Sequence, residues 1–161
     1  DNYSSKLKEE GAIVLDDLIY RSGSSDLGPG PFESLSALAN FLKGTPSSSI
    51  ILVGHSDAIG ELRKNIELSR NRAQAVVDRL IKDYGIDQSR ISAQGIGFLS
   101  PKTNNSTEKS RKKNRRVEAI LLCRKQIMIF FKNLIIKKEL ASHLDQRLAW
   151  HQAQKQHLPL L

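Results

Sequence analysis

Apolar stretches with the patterns of strands recur through the first 122 residues of the chain. They occupy the segments 11–20, 49–55, 90–97 and 114–122. The second of these, SIILVGH, is apolar almost without interruption and only seven residues long, which is typical of a buried central strand. The four segments predict a four-stranded sheet.

Two further segments carry apolar residues at helical spacing. The first helix is predicted at 32–42, and the second at roughly 65–84, with its core stripe on Ala73, Val76, Val77, Leu80 and Ile81. Gly85 follows the second helix and is expected to cap it in the left-handed conformation. The polar segment 98–113 is predicted to be an irregular loop. The order βαβαββ therefore predicts an α+β fold, a mixed four-stranded sheet with two helices on one face.

The last 39 residues have a different character from the rest of the chain. Apolar residues return at spacings of three, four and seven positions and predict one amphipathic helix: Ile127, Phe130, Leu134, Ala141, Leu144 and Leu148. We therefore divide the chain into a domain at 1–122 and a basic helical tail at 123–161. The tail has three open roles, which are packing on its own domain, pairing with another helix in a homodimer, and lying on a membrane surface.

Charge and composition narrow the possible functions. The net charge is +8, but residues 123–161 hold seven Lys and Arg against two acidic residues, so much of the basicity belongs to the tail. The segment KSRKKNRR, 109–116, has six basic residues in eight without an interleaved aromatic residue, so nucleic-acid binding is a minor alternative. A single cysteine, Cys123, excludes an internal disulfide and a multi-cysteine metal site.

The stretch GHSDAIGELRKNIELSRNRA, 54–73, holds the candidate site. Asp57 follows the predicted central strand, at the position where open α/β-type sheets place ligand contacts. Asn65, Leu68 and Arg72 are spaced three and four residues apart, so they share one face of the second helix. A carboxylate and a guanidinium in one cleft can hold a zwitterion. Two structural alternatives stay open: an ion pair between Asp57 and Arg72, and capping of its own loop by Asp57.

Catalytic patterns are missing around this stretch. His55 is expected to be a half-buried strand residue, since no acidic or cysteine cluster stands near it in sequence. The sequence contains no Ser/His/Asp set, no paired carboxylates and no phosphate-cradling loop in a supporting context. We expect a protein that is not an enzyme and needs no cofactor.

Several motifs occur together in a fixed order. They are GHSD at 54–57 with Gly60, Asn65, LS at 68–69 and RA at 72–73; then GIDQSRISAQGIG at 85–97; and finally NRRVE at 114–118. In these motifs the chain resembles the OmpA-like C-terminal domain over about residues 12–122. That family includes the tails of outer-membrane porins, the peptidoglycan-associated lipoprotein and MotB-type proteins.

The resemblance implies non-covalent binding of peptidoglycan through the diaminopimelate of its stem peptide. Asp57 would take the ammonium group and Arg72 the carboxylate, and Asn65, Leu68 and Arg115 are the other implied ligand-binding positions. It also implies a place on the periplasmic side of a bacterial envelope, with a tether to the outer or inner membrane through a region N-terminal to the chain. The alternative is a structural module that oligomerises through the tail.

Overall fold

The computed structural model describes residues 2–122, so the predicted tail helix at 123–161 lies outside the described residues. The elements are α1 (Asn2–Glu10), β1 (Ala12–Val14), α2 (Glu33–Gly44), β2 (Ser49–Gly54), α3 (Leu62–Tyr84), a short 3₁₀ turn (Gln88–Arg90), β3 (Ile91–Gly95), α4 (Glu108–Asn114) and β4 (Val117–Leu122). All four predicted strand segments contain a strand, and both predicted helices form. The predicted α+β class is confirmed.

The four strands form one mixed sheet in the order β1-β4-β2-β3. Strands β2 and β3 are parallel, whereas β4 runs antiparallel to both β1 and β2. Burial alternates along β2, where Ile50 and Leu52 are buried while Ile51 and Val53 are only partly covered. This period-two pattern places one face of the sheet in the core, under helices that contribute Leu38, Leu42, Val76 and Leu80.

The first strand is much shorter than the predicted 11–20. The backbone N–H of Leu15 still donates to the carbonyl of Val117 at 3.0 Å, but the chain then turns away from the sheet. Asp17 in this turn accepts a hydrogen bond from the backbone N–H of Ser34 at 3.1 Å and so caps the first turn of α2. Leu15, Leu18 and Tyr20 instead enter the core from a loop, a role that the apolar pattern alone does not distinguish from a strand.

Two helices, α1 and α4, were not predicted. Helix α1 is mostly polar, and its Leu7 is fully buried in the core. Helix α4 lies in the second half of 98–113, so the prediction of an irregular loop was wrong there. Helix α4 begins after Thr107, whose hydroxyl accepts a hydrogen bond from the backbone N–H of Ser110 at 3.1 Å. This N-cap stabilises the first turn of a helix that has almost no apolar residues to pack on the core.

Two strand-end glycines set the distance between α3 and the sheet. A Cβ on Gly54 would lie 1.7 Å from the carbonyl oxygen of Ser69, and a Cβ on Gly95 would lie 2.3 Å from the backbone nitrogen of Arg70. Only glycine permits this backbone contact. Gly85 then ends α3 in the predicted left-handed conformation, with φ of 67°. The first half of α3 is thereby fixed against the carboxyl ends of β2 and β3.

Candidate functional site

Asp57 lies just beyond the carboxyl end of β2 and is almost fully buried. Its Oδ1 accepts a hydrogen bond from the backbone N–H of Ile59 at 3.1 Å, so the carboxylate does cap its own loop. Its Oδ2 accepts a hydrogen bond from Nη1 of Arg115 at 2.8 Å. The buried carboxylate therefore has a cationic partner from the segment between α4 and β4.

Arg115 uses both ends of its guanidinium group on carboxylates. Besides Asp57, it reaches Oε1 of Glu108 through Nη2 at 2.5 Å, and its Nε donates to the carbonyl of Tyr20 at 3.0 Å. Burial alone would lower the pKa of Arg115, but Glu108 and Asp57 raise it above its ordinary value. Arg115 in turn lowers the pKa of Glu108. Asp57, Arg115 and Glu108 thus form a chain of alternating charge.

Arg72 is fully buried on α3 and is held by backbone carbonyls. Its Nε donates to the carbonyl of Ser24 at 2.8 Å, Nη1 donates to that of His55 at 3.0 Å, and Nη2 donates to that of Arg21 at 3.0 Å. Its guanidinium carbon lies 5.0 Å from the centre of the Tyr20 ring. The charge is therefore stabilised by carbonyl dipoles and by an aromatic face.

No carboxylate within residues 2–122 forms an ion pair with Arg72. Burial lowers the pKa of Arg72 to about 10, an effect that Tyr20 and Asp57 oppose and Arg115 reinforces. Asp57 and Arg72 therefore influence each other across one site without pairing. The alternative of a mutual ion pair does not describe this structure, in which Asp57 pairs with Arg115 instead.

The other two predicted residues of α3 differ in their environment. Asn65 is buried, and its Nδ2 donates to the carbonyls of Ile59 at 2.8 Å and Glu61 at 3.1 Å, so it holds the loop between β2 and α3. Leu68 is half-buried one turn further along the helix. On this helix Asn65 is thus engaged with its own loop, whereas the side chain of Leu68 is partly exposed.

Sequence reasoning missed two groups at this site. Glu108 reaches Arg115 because Thr107 starts α4 and places the carboxylate in its first turn, and the sequence Thr107-Glu108 was the available signal. Tyr20 packs its ring on Arg72 and gives its carbonyl to Arg115. Its position near the end of an apolar run gave no indication of either role.

His55 is more deeply buried than predicted and belongs to a second charged cluster. Its Nε2 lies 3.7 Å from Oε2 of Glu118, and Nε of Arg116 donates to Oε1 of the same carboxylate at 2.7 Å. His55 and Arg116 lower the pKa of Glu118 to about 2, against the opposing effect of partial burial.

Replacing Glu118 tests this cluster. Because the folded-state pKa lies below the unfolded value of about 4.3, the carboxylate stabilises the fold above that pH. The contribution is lost as the pH falls towards 2. We expect Glu118→Gln to lower the free energy of unfolding at pH 7 by about 1–2 kcal/mol. Urea denaturation at pH 7 and pH 2.5 should show this difference shrinking in acid; an equal difference at both would contradict it.

Residues 2–122 offer no metal site and no membrane span. Within them, no three His, Cys, Asp or Glu side chains gather in a group that could bind a metal ion. None of the helices described here combines the length and hydropathy needed to cross a bilayer.

The α+β fold, with its open four-stranded mixed sheet, is that of the OmpA-like class of domains. Residues 19–115 match the OmpA family model, and the chain belongs to this family. It is 37% identical to outer membrane porin F of Pseudomonas aeruginosa over 103 residues, which are 64% of this chain and 29% of the porin. It is 32% identical to the peptidoglycan-binding protein ArfA of Mycobacterium tuberculosis over 110 residues, 68% of this chain and 33% of ArfA.

Among solved structures, the chain resembles the cell wall anchor of the type VI secretion system from Pseudomonas aeruginosa. The TM-score is 0.54 at 27% sequence identity, covering 76% of this chain and 95% of that structure. The chain spans about a third or less of the length of porin F and ArfA. The similarity to these two therefore concerns one domain of longer proteins.

Proposed function

We propose that this domain binds peptidoglycan non-covalently, through the diaminopimelate of the stem peptide, and anchors an envelope protein to the cell wall. Two of the similar proteins support the proposal, since ArfA is named as a peptidoglycan-binding protein and the secretion-system domain is described as a cell wall anchor. Attachment to a membrane through a preceding region, a periplasmic location and a homodimer stay predictions.

One observation carries the proposal. Arg72 is a fully buried cation without a carboxylate partner in residues 2–122, and it lies beside a buried carboxylate, Asp57. Burying a cation is costly, and carbonyl dipoles offset the cost less completely than an anion would. A buried cation that makes no ion pair within residues 2–122 favours a ligand that brings a carboxylate.

The second half of the site fits the ammonium group of the same ligand. Asp57 is held in place by Arg115 and by the backbone N–H of Ile59, so its orientation is set before a ligand arrives. A carboxylate oxygen accepts more than one hydrogen bond, and an ammonium group would add to those already made. The zwitterionic end of diaminopimelate supplies both charges on one carbon.

Binding in this manner requires a local rearrangement. Two of the Arg72 donors are taken by the carbonyls of Arg21 and Ser24, which belong to the glycine-rich segment between β1 and α2. A ligand carboxylate would replace these carbonyls, and the fork of the guanidinium suits a bidentate carboxylate. Asn65 and Leu68 would contact the rest of the ligand side chain from the same helix.

Competition with small molecules tests the proposal. The domain should co-sediment with sacculi that contain diaminopimelate, and free meso-diaminopimelate should displace it. Nα-acetyl-lysine amide is the matched control, because its blocked α-carbon carries no charge and its side chain has the ammonium group without a neighbouring carboxylate. We expect this lysine derivative to compete at least about tenfold less well, the effect of one lost charge-assisted contact. Equal competition by both would contradict diaminopimelate recognition, and no co-sedimentation would contradict the function.

A further inference from the structure

A groove of about 690 Å³ lies next to the site and shares Arg115 with it. Its floor is apolar and includes Leu18 and the exposed Ile19, while its rim carries Lys102, Lys109, Lys112 and Lys113. The volume is in the range of pockets that hold small ligands. An apolar floor with a cationic rim fits a ligand that combines small apolar groups with carboxylates.

Three of the lysines lie on one face of α4. Lys112 and Lys113 follow Lys109 by three and four residues, so the side chain of Lys109 is a neighbour of both on the helix surface. All three are exposed, and neither they nor Lys102 forms an ion pair within residues 2–122. Like charges at this spacing destabilise a helix. An anion that binds between the lysines would reduce this repulsion.

The groove contains little negative charge of its own. Asp16 is the one acidic residue of its lining, and its carboxylate accepts a hydrogen bond from the hydroxyl of Tyr3. Within residues 2–122 the large exposed apolar side chains are all aliphatic, so no aromatic platform for nucleic-acid bases lies beside the lysines. The charge and the shape therefore favour a carboxylate-bearing peptide over a nucleic acid.

We propose that this groove binds the stem peptide of peptidoglycan outside its diaminopimelate zwitterion, and that the α4 lysines select for its free carboxylates. The inference rests on the proposed function and adds a second subsite to it. Continuity supports it, because Arg115 contacts Asp57 on one side and lines the groove on the other. The D-glutamate of the stem carries an α-carboxylate next to alanine methyl groups, which matches a cationic rim over an apolar floor.

The test compares two synthetic tripeptides, L-Ala–γ-D-Glu–meso-diaminopimelate with its glutamate α-carboxylate free and the same peptide with that group as a carboxamide. Calorimetric titration of the wild-type chain should show roughly tenfold tighter binding of the free acid, the sum of a few exposed ion pairs. This preference should weaken as salt is raised. The triple variant Lys109→Gln, Lys112→Gln, Lys113→Gln should bind both peptides with the affinity that the wild type has for the amide.

The matched control removes the same charge elsewhere. Lys43→Gln, Lys64→Gln, Lys82→Gln changes three exposed lysines on α2 and α3 and should keep the preference for the free acid. Equal binding of both peptides by the wild type would contradict carboxylate selection in the groove, and so would a preserved preference in the α4 variant. Either result would leave the proposed binding of peptidoglycan intact. Binding of neither peptide would overturn both. Salt-sensitive retardation of duplex DNA by the α4 lysines, with no preference between the peptides, would assign the groove to nucleic acid.

Discussion

Asp57→Asn is expected to weaken the binding of meso-diaminopimelate about a hundredfold, because truncating one partner of a buried, hydrogen-bonded charge pair costs several kcal/mol. Asparagine has nearly the shape of aspartate, so the loop after β2 should keep its conformation. Arg115 loses one carboxylate but keeps Glu108 as a partner. Calorimetric titration of the variant with the free amino acid measures the effect directly.

The control for this substitution is Asp78→Asn, which removes an exposed carboxylate from α3 whose Oδ1 accepts a hydrogen bond from Nε2 of Gln74. Its affinity should match that of the wild type. Thermal denaturation of both variants separates lost binding from lost folding, and titrations are made well below the melting temperature. If Asp57→Asn has a lower melting temperature but an affinity for meso-diaminopimelate within about threefold of the wild type, Asp57 serves only as the structural partner of Arg115.

Arg72→Ala is expected to lower the free energy of unfolding by about 4 kcal/mol, the largest stability effect we anticipate. The substitution leaves the carbonyls of Arg21, Ser24 and His55 without their donor and opens a cavity under the Tyr20 ring. Release of a buried cation offsets part of this loss. Urea denaturation measures the change, and a loss below about 1 kcal/mol would show that water replaces the guanidinium easily.

Two neighbouring substitutions sharpen the interpretation of Arg72. Arg70→Ala removes an exposed arginine two residues earlier on α3 and should alter stability by less than about 0.5 kcal/mol. Arg72→Lys keeps the charge but cannot bridge three carbonyls with one planar group. It should retain more stability than Arg72→Ala and still lose most of the discrimination between diaminopimelate and Nα-acetyl-lysine amide. Full discrimination by Arg72→Lys would show that charge alone, without the guanidinium fork, recognises the carboxylate.

The sequence predicted the elements well where their signals were local. The apolar stripe of α3, the left-handed Gly85 and the buried run of β2 depend on residues within a few positions of each other. The segment after β1 was mistaken for a strand because Leu15, Leu18 and Tyr20 enter the core from a loop. Helix α4 was missed because a charged surface helix has almost no apolar period, and its Thr107 cap was a local signal that the prediction did not use.

By itself, the sequence placed Asp57 at the end of the central strand and aligned Asn65, Leu68 and Arg72 on one helix face, because strand ends and helical spacing are local properties. Only the tertiary structure decided which charges meet. Asp57 pairs with Arg115, 58 positions away, while Arg72 is bound by carbonyls of a segment 48 to 51 positions before it. Charges that are distant in the sequence meet only after the chain has packed. The close contact of α3 with Gly54 and Gly95 is one part of that packing, and it fixes where Arg72 lies relative to the sheet.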